Sequence, residues 1–124
     1  MELKYKNEAI RYLDNAKEIL SQKAHKEGEY YQDPKYIKMA GNTAWSGVLV
    51  ALNGYLNDKN IKKEKGRVSI DWYKEQVAKL DKKMLNDLNS AYNYLHLLMG
   101  YNGDLSVKTA QTGLELAQRI INKT

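Results

Sequence analysis

The stretch Met39–Asn57, MAGNTAWSGVLVALNGYLN, contains no charged residue and decides the fold of this 124-residue chain. Small residues recur along it at alternating spacings of three and four, which places them on one face of an α-helix. A bulkier apolar row runs beside them, so most of the circumference of the helix is apolar. Such a helix is predicted to be surrounded by other helices. The small face consists of Gly41, Ala44, Val48, Ala51 and Tyr55, and the bulky row of Trp45, Leu49, Leu52 and Leu56.

A membrane span is the alternative interpretation of this stretch, because a span needs about 20 predominantly apolar residues. Asn42 and Asn53 interrupt the apolar run, and Lys38 and Asp58 bound it. The rest of the chain also supplies amphipathic helices that would cover it. We therefore predict a buried helix of a soluble domain, and no contact with a membrane.

Length and composition indicate one cytoplasmic domain. The chain is close to the common domain size of about 100–150 residues, so we predict a single domain over residues 1–124. It has no cysteine, which excludes disulfides and thiol nucleophiles. The N-terminal MELKYKNEAIRYL has acidic residues and no continuous apolar core, so it does not resemble a secretory signal. The net charge of +5 is modest and does not by itself indicate a nucleic-acid partner.

Two helices are predicted in the first half of the chain. The first covers Leu3–Lys26, where apolar residues follow the three-four spacing, and Gly28 is its predicted C-terminal stop. The second covers Pro34–Asn57, because Asp33 is a natural N-cap and Pro34 suits the first helical position. The apolar stripe of the first helix consists of Ala9, Leu13, Ala16, Leu20 and Ala24.

The second half of the chain predicts two or three further helices. Ser69 is a natural cap for a third helix, whose apolar stripe continues almost unbroken to Met99. This segment is one long helix or two helices that divide near Asp81, and we favour the division because a single helix would extend beyond its partners. Asp104 or Ser106 caps the last helix. The stripe of the last helix is Val107, Ala110, Leu114, Ala117 and Ile121.

These elements define the fold class. No run of alternating apolar and polar residues indicates a strand. Each remaining helix has one apolar face, which is suited to packing around the central stretch. We therefore predict an all-α fold, a single-domain bundle of four main helices, or of five if the third divides.

The sequence carries no recognisable catalytic or metal-binding motif. It has no Gly-x-Ser-x-Gly elbow and no glycine-rich phosphate loop. Its two histidines, His25 and His96, are far apart in the chain, and neither follows a glutamate by three positions as in di-iron bundles. We therefore predict no catalytic residue, no metal and no cofactor, and we favour a protein that is not an enzyme.

The densest group of polar and aromatic residues lies near the end of the third helical segment. The three-four spacing places most of its members on one side of a helix. Tyrosines here could stack on the bases of RNA, as part of a ligand site. The alternative is that they pack at a helix border while the histidine makes a structural hydrogen bond. The candidate site residues are Asn89, Tyr92, Asn93, His96 and Tyr101.

A basic loop is predicted between the second and third helices. The segment DKNIKKEKGR, residues 58–67, has five basic residues against two acidic ones. Such a loop is a solvated connection or a phosphate-contacting surface. Its basic residues are Lys59, Lys62, Lys63, Lys65 and Arg67.

Two segments carry a resemblance to a known family. The segments KYIKMAGNTAWSGVLVALNGYL and KKMLNDLNSAYNYLHLLMGYNG resemble an uncharacterised family of small bacterial helical proteins, a domain of unknown function. The resemblance covers nearly the whole chain. It implies a helical fold and no particular reaction.

A more remote resemblance is to the HEPN superfamily (higher eukaryotes and prokaryotes nucleotide-binding), many members of which are RNases. TAWSGVLVAL resembles the aromatic run of their second helix. Leu95–Tyr101 resembles their Leu-Arg-x-x-x-Asp-Tyr pattern, with His96 and Gly100 in place of the arginine and the aspartate. This resemblance implies a HEPN-like four-helix bundle that lacks the RNase motif.

Three functional hypotheses follow, the third of which is an enzyme with an unrecognised site. The first is a non-catalytic bundle that acts through protein–protein contacts or self-association, with a homodimer favoured. The alternative is a HEPN-like module that binds nucleic acid or a nucleotide. The first two differ in one spatial relationship, since a basic loop and a Tyr92/His96 group on one surface favour the binding module.

Overall fold

The computed structural model of the chain describes residues 3–63, 66 and 68–124. Within these ranges the chain is almost entirely helical, which confirms the all-α prediction. In chain order the elements are α1 (Leu3–Lys23), β1 (Lys26–Glu27), β2 (Tyr30–Tyr31), α2 (Pro34–Asp58), α3 (Ile70–Leu80), α4 (Lys82–Ala91), a π-helix (Tyr92–Tyr101) and α5 (Val107–Lys123).

Helix α2 is the centre of the bundle, as the uncharged stretch predicts. Its small face is buried, apart from half-buried Tyr55. At Gly41 the backbone of the π-helix comes so close that a Cβ atom would lie 2.5 Å from Met99 Cβ and 2.6 Å from the Leu95 carbonyl oxygen. At Gly47 a Cβ would lie 3.0 Å from the Ala9 carbonyl oxygen of α1. Glycine therefore lets two neighbours approach the central helix. Among the described residues, no helix combines the length and the apolar character needed to cross a bilayer.

Helix α1 is shorter than predicted, and a hairpin follows it. It ends at Lys23 instead of Lys26, because the next residues turn through His25 at φ +53° and then pair as strands. Lys26–Glu27 pairs antiparallel with Tyr30–Tyr31 around a turn that contains Gly28 at φ +62°. Gly28 is thus a hairpin turn residue and not the helix stop that the sequence predicted. The predicted apolar stripe of the first helix is buried in full.

The third helical segment divides at Asp81, as we favoured. Asp81 has extended backbone angles, φ −158° and ψ 108°. Its Oδ1 accepts hydrogen bonds from Lys83 N at 2.9 Å and Met84 N at 3.1 Å, which caps α4. Asp33 and Ser69 cap α2 and α3 in the same manner, as predicted.

Helix α4 continues directly into a π-helix, which no sequence pattern predicts. In a π-helix the hydrogen bonds join residues five apart, so each turn is wider than in an α-helix. The amide of Asn102, for example, donates to the Leu97 carbonyl at 2.9 Å. The π-helix buries Leu95 and Met99, whereas Leu98, which α-helical spacing would place on the same side as Leu95, is only half-buried.

Helix α5 closes the bundle. Ser106 Oγ accepts from Thr109 N at 3.3 Å and is the cap, while Asp104 Oδ1 accepts from Ser106 N at 2.9 Å. The buried face includes the predicted Ala110, Ala117 and Ile121. The buried face also includes three residues outside the predicted stripe, Gly113, Leu116 and Ile120. Val107 and Leu114 of the predicted stripe are only half-buried.

Candidate functional site

A cleft of about 280 Å³ opens between the π-helix, α2, α3 and the connection that precedes α3. We call it the first cleft. One wall is aromatic and comes from Trp45 on α2 and from Tyr92 and His96 on the π-helix. The cleft is also lined by Lys63, by residues around the Ser69 cap, and by Tyr73. It therefore brings the predicted Tyr92/His96 group and a lysine of the basic loop to the same cleft.

The aromatic wall is one continuous set of ring contacts. Tyr92 and His96 are stacked, with ring centroids 5.2 Å apart and planes at 26°. Trp45 meets Tyr92 edge-on at 5.6 Å and lies 6.0 Å from His96. Aromatic walls of this kind favour flat, apolar ligand groups.

Cations are the charged groups that the described part of the chain places at the first cleft. Lys63 lines it, and Nζ of Lys74 lies 5.0 Å from the centroid of the Tyr92 ring. Among the described residues that line the cleft, there is no aspartate or glutamate. The site therefore favours a ligand that carries negative charge.

One nitrogen of His96 is unusual. Its Nδ1 atom is buried and has no hydrogen-bond partner among the described residues. Buried polar atoms are normally paired, because an unpaired one costs about 1–3 kcal/mol. His96 thus does not make, through Nδ1, the structural hydrogen bond that the plainer interpretation of the sequence assigned to it.

A second cleft of about 360 Å³ adjoins the first, and Lys63 lines both. Its aromatic residues are Tyr5 of α1 and Trp72 of α3, and its polar residues are Asn53, Asn57 and Lys62. No carboxylate occurs among its lining residues in the described part of the chain.

Trp72 lines the second cleft and Tyr73 the first, and their rings meet edge-on at 5.1 Å, so we infer that this ring pair lies between the two clefts and forms the partition between them. Tyr73 is 4% exposed, and burial raises the pKa of its hydroxyl above the ordinary value of 10.0. At neutral pH the hydroxyl keeps its proton and donates to Asn53 Oδ1 at 2.7 Å. The Tyr73 side of this partition is therefore held by a part-buried hydrogen bond to α2.

The five residues of the predicted aromatic site do not stay together. Tyr92 and His96 line the first cleft. Asn89 and Asn93 are exposed and do not line it, since the three-four spacing no longer applies where the helix widens. Tyr101 is 78% exposed and also lies outside the cleft.

The predicted basic loop is likewise divided. Lys63 lines both clefts and Lys62 the second. Lys59 lines neither, and its Nζ lies 5.7 Å from the centroid of the Tyr55 ring. Lys65 and Arg67 lie outside the described residues.

Several lining residues were not predicted as site residues. Trp45 was assigned to the core, where its 8% exposure largely places it, and Trp72, Tyr73 and Tyr5 were not singled out for the site. The sequence does contain a local signal for Trp72 and Tyr73, because these two aromatics follow closely after the basic loop and the Ser69 cap of α3. Basic residues next to aromatics are typical of nucleic-acid surfaces.

Metal chemistry has no obvious location. Among the described residues, no three histidine, aspartate or glutamate side chains are grouped so that they could hold a metal ion. The arrangement offers ring surfaces, amides and cations, which are groups suited to binding and orienting a ligand.

Comparisons with known proteins agree with the fold. Residues 4–124 match the family described as Domain of unknown function (DUF5618). A solved structure similar to the chain is a protein of unknown function from Dyadobacter fermentans. The two share 47% sequence identity over 99% of this chain and 95% of that chain, with a TM-score of 0.91. None of the curated proteins matches the chain. These findings confirm the resemblance to an uncharacterised helical family.

Proposed function

The chain belongs to the DUF5618 family, and we propose that it is a non-catalytic binding protein whose first cleft takes a planar ligand with negative charge, such as a nucleoside monophosphate. One observation carries the proposal. Lys63 of the basic loop and the rings of Tyr92 and His96 line the same cleft. This is the relationship that favours the binding module over a bundle that acts only through protein contacts.

The chemistry of the cleft supports both parts of such a ligand. A nucleobase offers a flat face to the aromatic wall, and stacking on an aromatic residue is worth about 1–3 kcal/mol per base. A phosphate would be attracted by Lys63 and Lys74, with no carboxylate among the described lining residues to oppose it.

Binding is favoured over catalysis for a physical reason. General acid–base chemistry on a phosphate ester needs a positioned proton carrier and a group that stabilises developing charge. His96 is the single histidine that lines the cleft, and its buried Nδ1 has no orienting partner among the described residues. Neither the family match nor the solved structure shows a HEPN relationship, and the proposal does not depend on one.

The test uses tryptophan fluorescence. The chain has two tryptophans, and the Trp72→Phe variant keeps only Trp45, which lines the first cleft. We expect AMP to change the Trp45 emission saturably and adenosine to bind more weakly. Raising the ionic strength should weaken AMP binding, because the phosphate contact is electrostatic.

Matched variants locate the site. Tyr92→Ala should weaken AMP binding about ten-fold through lost stacking. Tyr101→Ala, an exposed aromatic on the same π-helix, should leave it unchanged. The absence of a saturable response to millimolar AMP, or equal losses in both variants, would remove the proposal.

Self-association remains a prediction for a second function. Tyr30 and Tyr101 are 58% and 78% exposed, and tyrosine is common at interfaces. Light scattering over a range of concentrations would identify a dimer, and a strictly monomeric species would eliminate this idea. The protein partner and the cytoplasmic location also stay predictions.

A further inference from the structure

The two clefts share the cation of Lys63. Lys63 lines both, while the Trp72 and Tyr73 rings separate them. A ligand group held by Lys63 is therefore placed between two aromatic sites. This arrangement suits a ligand with two flat groups joined through an anionic linker.

The second cleft has its own means of holding a flat, polar ring. Tyr5 and Trp72 supply aromatic surface, and Lys62 supplies a second cation. Asn53 and Asn57 lie one helical turn apart on α2 and both line the cleft. Because Oδ1 of Asn53 accepts the Tyr73 hydroxyl, its amide orientation is fixed and Nδ2 remains as a donor. Carboxamides of this kind hydrogen-bond the edges of bases.

We propose that the clefts are two subsites for one single-stranded oligonucleotide, with successive bases in the two clefts and the phosphate between them on Lys63. The proposal rests on the proposed function of the first cleft and extends it from a nucleotide to a strand. A phosphodiester is the anionic linker that joins two bases in every nucleic acid.

The partition between the clefts selects a single strand. Two bases on either side of the Trp72 and Tyr73 rings cannot remain stacked on each other or on their neighbours in a duplex. Aromatic platforms accept any base, because every base has a π-face. The two-subsite surface is therefore predicted to bind unpaired strands with little sequence preference.

The two tryptophans report on the two clefts separately. Trp45 lines the first and Trp72 the second. In the full chain labelled with 5-fluorotryptophan, they give two ¹⁹F resonances, which the Trp72→Phe variant assigns. The probes are AMP and the dinucleotide ApA, adenylyl-3′,5′-adenosine.

We expect ApA to shift both resonances with one common midpoint, at a concentration about ten-fold or more below that of AMP. The phosphodiester of ApA carries less negative charge than the phosphomonoester of AMP, so tighter binding of ApA cannot come from charge. It has to come from the second base.

Three lysines of the loop provide matched variants. Lys63→Ala should remove most of the advantage of ApA over AMP and reduce the salt dependence of ApA binding. Lys62→Ala, in the second cleft alone, should weaken ApA and leave the Trp45 response to AMP unchanged. Lys59 lines neither cleft, so Lys59→Ala should bind AMP and ApA as the wild type does.

The outcomes separate the two proposals. If AMP shifts Trp45 while ApA binds no more tightly or leaves Trp72 unshifted, the two-subsite proposal is overturned and the nucleotide site stands. If AMP has no effect but ApA shifts both resonances together, the two subsites stand and the mononucleotide proposal fails. If neither probe shifts either resonance, both proposals are wrong.

Discussion

The Tyr73 hydroxyl on α3 donates a 2.7 Å hydrogen bond to Oδ1 of Asn53 on α2, and this bond joins the walls of the two clefts. Tyr73 lines the first cleft and Asn53 the second. The bond fixes the carboxamide in the second cleft and the ring that separates the two clefts. Stability and ligand geometry thus depend on the same pair of residues.

Tyr73→Phe is predicted to change the alkaline stability of the protein. Burial raises the pKa of Tyr73 above 10.0 in the folded state, so above pH 10 the unfolded chain ionises first and the free energy of unfolding falls as the pH rises. The variant loses about 1 kcal/mol at pH 8 through the missing hydrogen bond. It also lacks the part of the decrease in unfolding free energy at high pH that comes from ionisation of Tyr73. Urea unfolding should therefore show a smaller difference in unfolding free energy between variant and wild type at pH 11 than at pH 8.

The control for this prediction is Tyr101→Phe, at an exposed position. It should leave both the stability and its pH dependence unchanged. Some alkaline fall should persist in Tyr73→Phe, because burial also raises the pKa of Tyr31 and, together with the nearby Asp81 charge, of Tyr55. A gap that stays constant between the two pH values would contradict the assignment to Tyr73.

Asp81→Ala is predicted to destabilise the protein by about 1 kcal/mol, the usual cost of a lost helix cap. Two backbone amides at the start of α4, those of Lys83 and Met84, lose their acceptor in this variant. Asp81→Ser should restore most of the loss, since serine also caps well. Asp71→Ala, in the first turn of α3 and not a cap, should cost less. Urea unfolding at neutral pH measures all three, and equal losses for Asp81→Ala and Asp71→Ala would speak against a capping role.

Helix starts were predictable from the sequence because their causes are local. The Asp33, Ser69 and Asp81 side chains each bond an amide two or three residues away, so the signal lies within one turn. The central position of α2 was predictable because its stretch Met39–Asn57 carries no charge on any side of the helix.

The hairpin and the π-helix were not predictable because contacts that hold them in place come from distant parts of the chain. Tyr31 N donates to the Leu105 carbonyl at 2.8 Å, and Val107 N donates to that of Glu29 at 3.0 Å. Strands of two residues are also too short to show alternation. The π-helix packs its backbone against Gly41, a contact that no local pattern of its own sequence contains.

The candidate site was predictable in part for the same reason. Tyr92 and His96 belong to one dense segment and were found there, but the helical periodicity then grouped them with Asn89 and Asn93. Because the π-helix changes that periodicity, only the first pair faces the cleft. The other residues that line the cleft come from other elements, which sequence spacing cannot bring together.

The proton of the His96 ring is predicted to lie on Nε2 and not on Nδ1. An Nδ1–H in this place would be a buried donor without an acceptor among the described residues, and orphaned buried N–H groups are among the rarest features of proteins. An Nδ1 atom without a proton leaves only a buried acceptor unpaired, and no buried N–H donor. Long-range ¹H–¹⁵N spectra of the histidine ring distinguish the two tautomers, with exposed His25 as the internal reference. A protonated Nδ1 would mean that a polar partner reaches this atom in solution.

Gly41→Ala is predicted to destabilise the protein by about 1–3 kcal/mol, although alanine is the better helix former by about 1 kcal/mol. The added methyl would lie 2.5 Å from Met99 Cβ, 2.6 Å from the Leu95 carbonyl oxygen and 2.8 Å from Gly100 N. Two of these atoms are backbone, so the π-helix as a whole has to move away from α2. Because Tyr92 and His96 belong to that helix, AMP binding should weaken together with stability.

Gly113→Ala is the control for Gly41→Ala, because it adds a methyl group to the core without displacing the backbone of the π-helix. Its methyl would meet Cδ2 of Leu95 at 2.8 Å and Sδ of Met99 at 3.3 Å, which are the ends of flexible side chains. These can shift without moving the backbone, and the gain in helix propensity of about 1 kcal/mol offsets the strain. We therefore expect Gly113→Ala to stay within about 1 kcal/mol of wild type and to bind AMP normally. Urea unfolding and the Trp45 titration measure both properties in each variant. If Gly41→Ala were as stable as Gly113→Ala and bound AMP equally well, the close approach of α2 and the π-helix would not be what positions the aromatic wall.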